Sequence, residues 1–264
     1  MTDQGQVAIV TGGASGIGAA TSKWLATEGY HVVIADINGE GAMALAAQLR
    51  EHGAAATATI TDMSDERSVI EMVATAAQAG LIAVLVNNAA DLSQIPLDGN
   101  VTDTELSVWD RVYAVSVRGA VIACREAIPH MIAGGTGSVV NISSIQSLLG
   151  DHERAAYSAM KSAVNSLTRS IATRYGKKGV RCNTICPGPV QPDEPERAWP
   201  EPMKAAYDPH LLRNAVGSAS ELAEIVGFLA SSRSALITGQ IVTADAGFSA
   251  HMHLFMKLRD QPIP

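Results

Sequence analysis

The sequence is poor in the features that mark several classes of protein. It has three cysteines, Cys124, Cys182 and Cys186, which form no disulfide framework. Cys182 and Cys186 lack the C-x-x-C spacing of common zinc sites, and no histidine pair accompanies them. They read as small buried apolar residues of a cytosolic protein. Basic residues are scattered, with no run beyond Lys177-Lys178, and the formal net charge is −7. Nothing here resembles an electrostatic footprint for nucleic acid. No apolar run reaches the length of a membrane span. Met1-Thr2-Asp3-Gln4-Gly5 is polar and acidic, unlike a signal peptide. There is no internal repeat, low-complexity segment or clear inter-domain linker. The expectation is one cytoplasmic domain of 264 residues, 47% hydrophobic and 17% charged, with no metal site and no membrane partner.

What is present is an alternation of strand and helix patterns. Residues 6–10 are a short apolar run, read as a buried strand. Thr11-Gly12-Gly13-Ala14-Ser15-Gly16-Ile17-Gly18 follows, then a helical pattern to about Glu28. Glycines between a strand and a helix let backbone N–H groups approach a pyrophosphate at the positive helix end. The next strand, His31–Asp36, ends in an acid eighteen residues after Gly18. A carboxylate there can accept hydrogen bonds from an adenosine ribose and would repel a 2′-phosphate. Neither Ser15 nor Ile37 supplies a cation to receive that phosphate, so NAD is expected over NADP.

Helical patterns follow over 39–52 and 66–79, and strand patterns over 55–61 and 81–86. Asn87-Asn88-Ala89-Ala90 places two amides at a strand end, where they could tie neighbouring strands and line a crevice. Thr102-Asp103-Thr104-Glu105 is a capping-box pattern that predicts a helix start, with helix to about Ala133. Strands are expected over 138–142, 180–185 and 239–244, and a last helix from a second capping box at Ser218–Glu221 to about Ala230. The pattern predicts an α/β fold: a single-domain, doubly wound Rossmann-type parallel sheet of about seven strands with helices on both faces. Residues 6–145 would mainly bind cofactor and 146–249 would carry catalysis and substrate.

Tyr157-Ser158-Ala159-Met160-Lys161 lies in a helical pattern running to Tyr175. Residues four apart share one helix face, so the phenol and the ammonium can point into the same space. A free tyrosine, with a pKa near ~10, is a poor base at neutral pH. A nearby cation lowers that pKa and suits the pair to moving a proton on or off a substrate oxygen.

Taken in order, Thr11-Gly12…Gly16-Ile17-Gly18, Asp62, Asn87-Asn88-Ala89, Ser144, Tyr157…Lys161, Pro187-Gly188 and Ile237-Thr238-Gly239-Gln240 resemble the short-chain dehydrogenase/reductase family over residues 6–249. The resemblance implies an NAD-dependent oxidoreductase acting on a secondary alcohol or its ketone. Tyr157 would be the general acid/base, Lys161 its partner and a contact to the nicotinamide ribose, and Ser144 a hydrogen-bond donor to the same substrate oxygen. Gly12, Ser15, Gly16, Ile17, Gly18, Asp36, Ile37, Asp62, Met63, Asn88, Ala89, Ala90, Tyr157, Lys161, Pro187, Gly188 and Val190 would contact the cofactor. Ser116 stands where the family usually has asparagine; its backbone carbonyl could still hold the water of a proton relay. Ala90, Pro192 and Ala246 also depart from the usual pattern. Ser116, Pro192 and Ala246 support one other reading, a dinucleotide-binding sensor or scaffold with little turnover.

Residues 189–216 hold apolar side chains among prolines and acids and read as a lid. Gln146, Leu149, Trp199 and Met203 are the expected substrate contacts, for a medium-sized, partly hydrophobic molecule. The family commonly forms tetramers through its two long helices, so a homotetramer is expected by analogy. The apolar tail, residues 250–264, would pack on a neighbouring subunit.

Overall fold

The computed structural model describes residues 5–252. The strands are β1 (Gln6–Thr11), β2 (His31–Asp36), β3 (Ala56–Ile60), β4 (Leu81–Asn87), β5 (Gly137–Ile142), β6 (Val180–Pro187), the short β7 (Val190–Gln191) and β8 (Gly217–Ser218), and β9 (Ile241–Ala244). Seven of them form one parallel sheet in the order β3-β2-β1-β4-β5-β6-β9. β1 and β4 to β6 are almost wholly buried along their lengths, because helices cover both faces and no strand needs a polar side. The strand order reverses between β1 and β4, and such a reversal opens a crevice at the strands' C-terminal ends.

The helices are α1 (Gly16–Thr27), α2 (Gly39–Glu51), α3 (Glu66–Ala79), α4 (Leu106–Tyr113), α5 (Gly119–Ala133), α6 (Ala155–Tyr175), α7 (Glu201–Tyr207) and α8 (Ala219–Ala230). On one face, residues of α3 and α5 such as Met72, Ile128 and Met131 pack with Val7, Ile9 and Leu85 of the sheet. On the other, residues of α1, α2 and α8 such as Leu25, Leu45 and Val226 pack with Val10, Ile34 and Ile185. The single-domain Rossmann-type sheet expected from the sequence is the observed one. All three cysteines are buried and free, and burial pushes the Cys124 thiol up to about 12.

Four local features differ from the sequence reading. The helix expected from Thr102 begins at Leu106, with Glu105 at the N-cap making no side-chain bond. The reason is competition: the Asn100 side chain accepts the N–H groups of Thr102 and Asp103 at 2.9 and 3.2 Å and holds them in a turn. The long helix is also interrupted by a π-turn, Ala114–Arg118, between α4 and α5. The last strand starts at Ile241 rather than at residue 239. The irregular stretch after Pro187 contains α7 and the parallel ribbon of β7 and β8. The second capping box is formed, with Ser218 and Glu221 bonding reciprocally at the start of α8. Of the tail, His251 and Met252 are described; the expected subunit contact from His253 onward lies outside the described residues.

Candidate active site

The cleft of about 550 Å³ at the sheet's switch point gathers residues from most of the chain. Its floor begins with the glycine-rich turn. Gly12 has φ +61°, a left-handed conformation that favours glycine. A Cβ on Gly18 would lie 1.9 Å from the Gly12 carbonyl oxygen, so only glycine lets the turn fold back on the start of α1. The Ser15 side chain makes no capping bond, which leaves the positive end of α1 its donors for an anion. Asn88 fastens this turn to β4: its Nδ2 donates to the carbonyls of Thr11 and Gly12 at 3.0 and 2.9 Å. Asn87 ties β4 to β5 through the Asn141 side chain at 2.8 Å.

Asp36, at the end of β2, lines the same cleft. Its carboxylate accepts the backbone N–H groups of Ala14 at 3.0 Å and Asn38 at 2.9 Å. A carboxylate offers about four acceptor positions, so two remain for a ligand's hydroxyls. Asp62 and Asp91 also line the cleft and share Arg111, at 3.9 and 2.7 Å. Burial would raise both acids. Hydrogen bonds from Ser64 to Asp62 and from Ser93 to Asp91, with the Arg111 charge, win and hold both below the usual carboxylate range. The glycine cradle, the open helix end and the acid fit a dinucleotide.

At the other end stand Ser144, Tyr157 and Lys161, on the loop after β5 and the first turns of α6. Ser144 and Lys161 are buried and Tyr157 is partly buried. The Lys161 ammonium donates to the Ile142 carbonyl at 2.8 Å, and the Ser143 hydroxyl donates to the Lys161 carbonyl at 2.9 Å. Burial lowers the Lys161 pKa to about 8. The Tyr157 phenol moves opposite to the sequence expectation. Burial pushes it up, and the Ser144 side chain and the Arg154 charge offset this only in part. Lys161 Nζ lies 5.5 Å from the centre of the Tyr157 ring, over its face.

Sixteen of the seventeen expected cofactor contacts border the cleft, the exception being Gly18, which acts through the close approach just described. Ser116 does not reach the cleft. It is buried in the π-turn and lines a separate cavity of about 10 Å³ with Asn87, Ala89 and Lys161 among others. A cavity of that size has room for about one water. Asn87 Oδ1, buried without a hydrogen-bond partner, borders it.

Of the four expected substrate contacts, Trp199 lines the cleft and Gln146, Leu149 and Met203 do not. The Gln146 amide instead donates to the Asp151 carboxylate, and Leu149 and Met203 are exposed. Trp199 stacks obliquely on Tyr207 at 5.5 Å, and Tyr207 meets Phe248 at 6.3 Å, so the segment after Pro187 leans on the chain beyond β9. His152 and Glu153, just before α6, are exposed.

Sequence reasoning missed Arg111, Asp91, Gln191 and Arg197 among the lining residues, and it missed Asp98 behind them. Asp98 is buried, and its carboxylate accepts the N–H groups of Ala156 and Tyr157 at 3.0 and 2.7 Å. It therefore caps α6 from outside, where the N-cap residue Arg154 makes no side-chain bond.

Residues 12–249 match the family model described as enoyl-(acyl carrier protein) reductase. The chain is 40% identical over 250 residues to a probable short-chain type dehydrogenase/reductase of Bradyrhizobium diazoefficiens, covering 94% of this chain and 89% of that one. It is 38% identical to a cis-4-hydroxycyclohexanecarboxylate dehydrogenase of Sinomonas cyclohexanicum, covering 93% and 97%. It is 35% identical to a 7alpha-hydroxysteroid dehydrogenase of Clostridium sardiniense, covering 93% and 94%. With this match in sequence, sheet order and cleft, the chain belongs to the short-chain dehydrogenase/reductase family.

Proposed function

We propose that this protein is an NAD-dependent oxidoreductase that moves a hydride between a secondary alcohol, or its ketone, and the nicotinamide. One observation carries the reading: Ser144, Tyr157 and Lys161 border the same cleft as the glycine-rich turn and Asp36. The bound dinucleotide would supply the hydride chemistry. Tyr157 removes the hydroxyl proton on oxidation and returns it on reduction. Ser144 donates a hydrogen bond to the same oxygen and orients it. Lys161 supplies positive charge behind the phenol and a donor for the nicotinamide ribose. Asp36 receives the adenosine ribose hydroxyls and disfavours a 2′-phosphate, which supports NAD over NADP. The names of the cyclohexane and steroid relatives support a hydroxylated ring compound as substrate. By family analogy the protein works as a cytoplasmic homotetramer, a state that light scattering would test.

The deciding experiment follows NADH absorbance with NAD and a panel of cyclic secondary alcohols, with NADP in parallel. Oxidation with NAD that falls about a thousandfold in Tyr157→Phe, with NAD still bound, is the expected result. NADP preference would remove the role given to Asp36. Equal turnover by the Tyr157→Phe protein would remove Tyr157 as the acid/base.

A further inference from the structure

Charge is unevenly distributed around the cleft. Its acids, Asp36, Asp62 and Asp91, all come from the N-terminal half of the chain, and Arg111 neutralises two of them. The lining from Ile142 to Ala219 has no carboxylate and two cations, Lys161 and Arg197. Lys161 is committed to the Ile142 carbonyl. Arg197 has only a long ion pair, 4.0 Å to Glu194, and no side-chain hydrogen bond among the described residues.

The segment around Arg197 makes this a matter of placement rather than composition. Between Val190 and Glu201 the charged residues are Asp193, Glu194, Glu196, Arg197 and Glu201, four acids and one base. Only the base lines the cleft. Asp193 turns to Ser220 at 3.2 Å and Glu201 to Lys204 at 2.9 Å. The Arg197 guanidinium makes no hydrogen bond among the described residues. Its nearest carboxylate, Glu194, lies 4.0 Å away and outside the lining. Arg154, unlike Arg197, has no carboxylate within ion-pair distance among the described residues, and its charge lowers the Tyr157 phenol.

A guanidinium whose planar fork makes no hydrogen bond among the described residues, two residues from the indole of Trp199, suits an apolar molecule that ends in an oxyanion. We propose that the substrate is a secondary alcohol bearing a carboxylate or similar oxyanion, and that Arg197 receives this group. The proposal rests on the hydride-transfer reading above. The cofactor's pyrophosphate is the other anion within the cleft's chemistry. The turn and the open end of α1 already provide its donors, which favours the substrate as the ligand of Arg197.

The test uses 3-hydroxybutyrate and 5-hydroxyhexanoate, each beside its primary amide, which keeps size and polarity but removes the charge. Binding to the protein–NADH complex is read by NADH fluorescence, where the alcohol cannot react, and turnover is read separately with NAD. At least one acid should bind about tenfold or more tightly than its amide. In Arg197→Met that ratio should fall to about one, and Arg197→Lys should restore part of it. Arg197 is exposed, so neither variant threatens folding. Equal binding of acid and amide in every pair would overturn the proposal. So would an Arg197→Met protein that loses affinity for NADH while keeping the acid-to-amide ratio, since the arginine would then serve the pyrophosphate. A retained binding preference without turnover would count against the hydride-transfer reading and not against this one.

Discussion

The backbone N–H of Tyr157 donates to the carboxylate of Asp98, 59 residues earlier in the chain, at 2.7 Å. The other carboxylate oxygen takes the N–H of Ala156 at 3.0 Å, and the Asp98 carbonyl takes that of Arg154 at 2.9 Å. One buried acid thus fixes where α6 starts, and with it the height at which the phenol enters the cleft.

Replacing Asp98 by alanine strands two buried donors at a helix end. The expected cost is about 2–3 kcal/mol in urea unfolding. Asp98→Asn keeps one acceptor and should cost about half as much. If Asp98 positions Tyr157, kcat in the folded fraction should fall more in the alanine variant than in the asparagine one, with KM for NAD little changed. Equal kcat in both would leave Asp98 a stability residue only.

Lys161 predicts an exchange of stability against activity. Its folded pKa of about 8 lies below the ordinary 10.5, so burying the ammonium costs about 3 kcal/mol while the group is protonated. That cost is complete below about pH 8 and fades as the pH rises towards the unfolded value. Lys161→Met removes it but gives up the bond to Ile142, worth about 1 kcal/mol. The cofactor-free variant should therefore be about 1–2 kcal/mol more stable at pH 7. The advantage should fade above about pH 8 and be gone by about pH 11, where Lys161 is neutral in both the folded and the unfolded chain. Turnover should fall at least about a hundredfold.

Arg154 is one of the influences that lower the Tyr157 phenol against the larger upward push of burial. In Arg154→Gln the phenol should rise. Oxidation needs the phenol deprotonated, so the acidic limb of kcat/KM for alcohol oxidation should then move upward, and less at high salt. An unmoved limb would show that the charge does not reach the phenol in the cofactor complex.

Ala246 has φ 56°, a left-handed conformation where an alanine Cβ is strained. Its carbonyl accepts the Leu212 N–H at 2.8 Å, so the strained turn also anchors the end of the segment that carries α7. Ala246→Gly should stabilise the protein by about 0.5–1 kcal/mol, a melting rise of about 1–4 °C in a protein of this size. Unchanged or lower melting would mean that the added freedom of the unfolded glycine chain outweighs the relieved strain.

The sheet could be read from the sequence because its buried strands are short stretches rich in Val, Ile, Leu and Ala between turn residues, with polar residues such as Asn141, Asn183 and Thr184 in β5 and β6. The glycine-rich turn, Asp36 and the Tyr157–Lys161 pair were legible for a related reason, since their geometry follows from neighbours in the chain. Asp98 left no such trace, because its partners are distant and a lone acid in a loop has no periodicity. Arg111 and Arg197 look like ordinary surface charges until the fold turns them towards the cleft. Gln146, Leu149 and Met203 are the opposite case. Their residue types suit a pocket, but Gln146 turns to Asp151, and Leu149 and the helical Met203 are exposed outside the cleft. Thr102–Glu105 matched a capping pattern, and the Asn100 side chain reached its N–H groups first.

The ribbon of β7 and β8 pairs Val190 with Gly217 and Gln191 with Ser218. The stretch that carries Arg197, Trp199 and α7 therefore begins and ends at the paired strands of this separate ribbon, at nearly one point. An excursion with adjacent ends behaves as a cassette. Its length and side chains can be exchanged between relatives without shifting strand register or moving Tyr157. New substrates can thus be acquired by splicing one surface segment over unaltered chemistry.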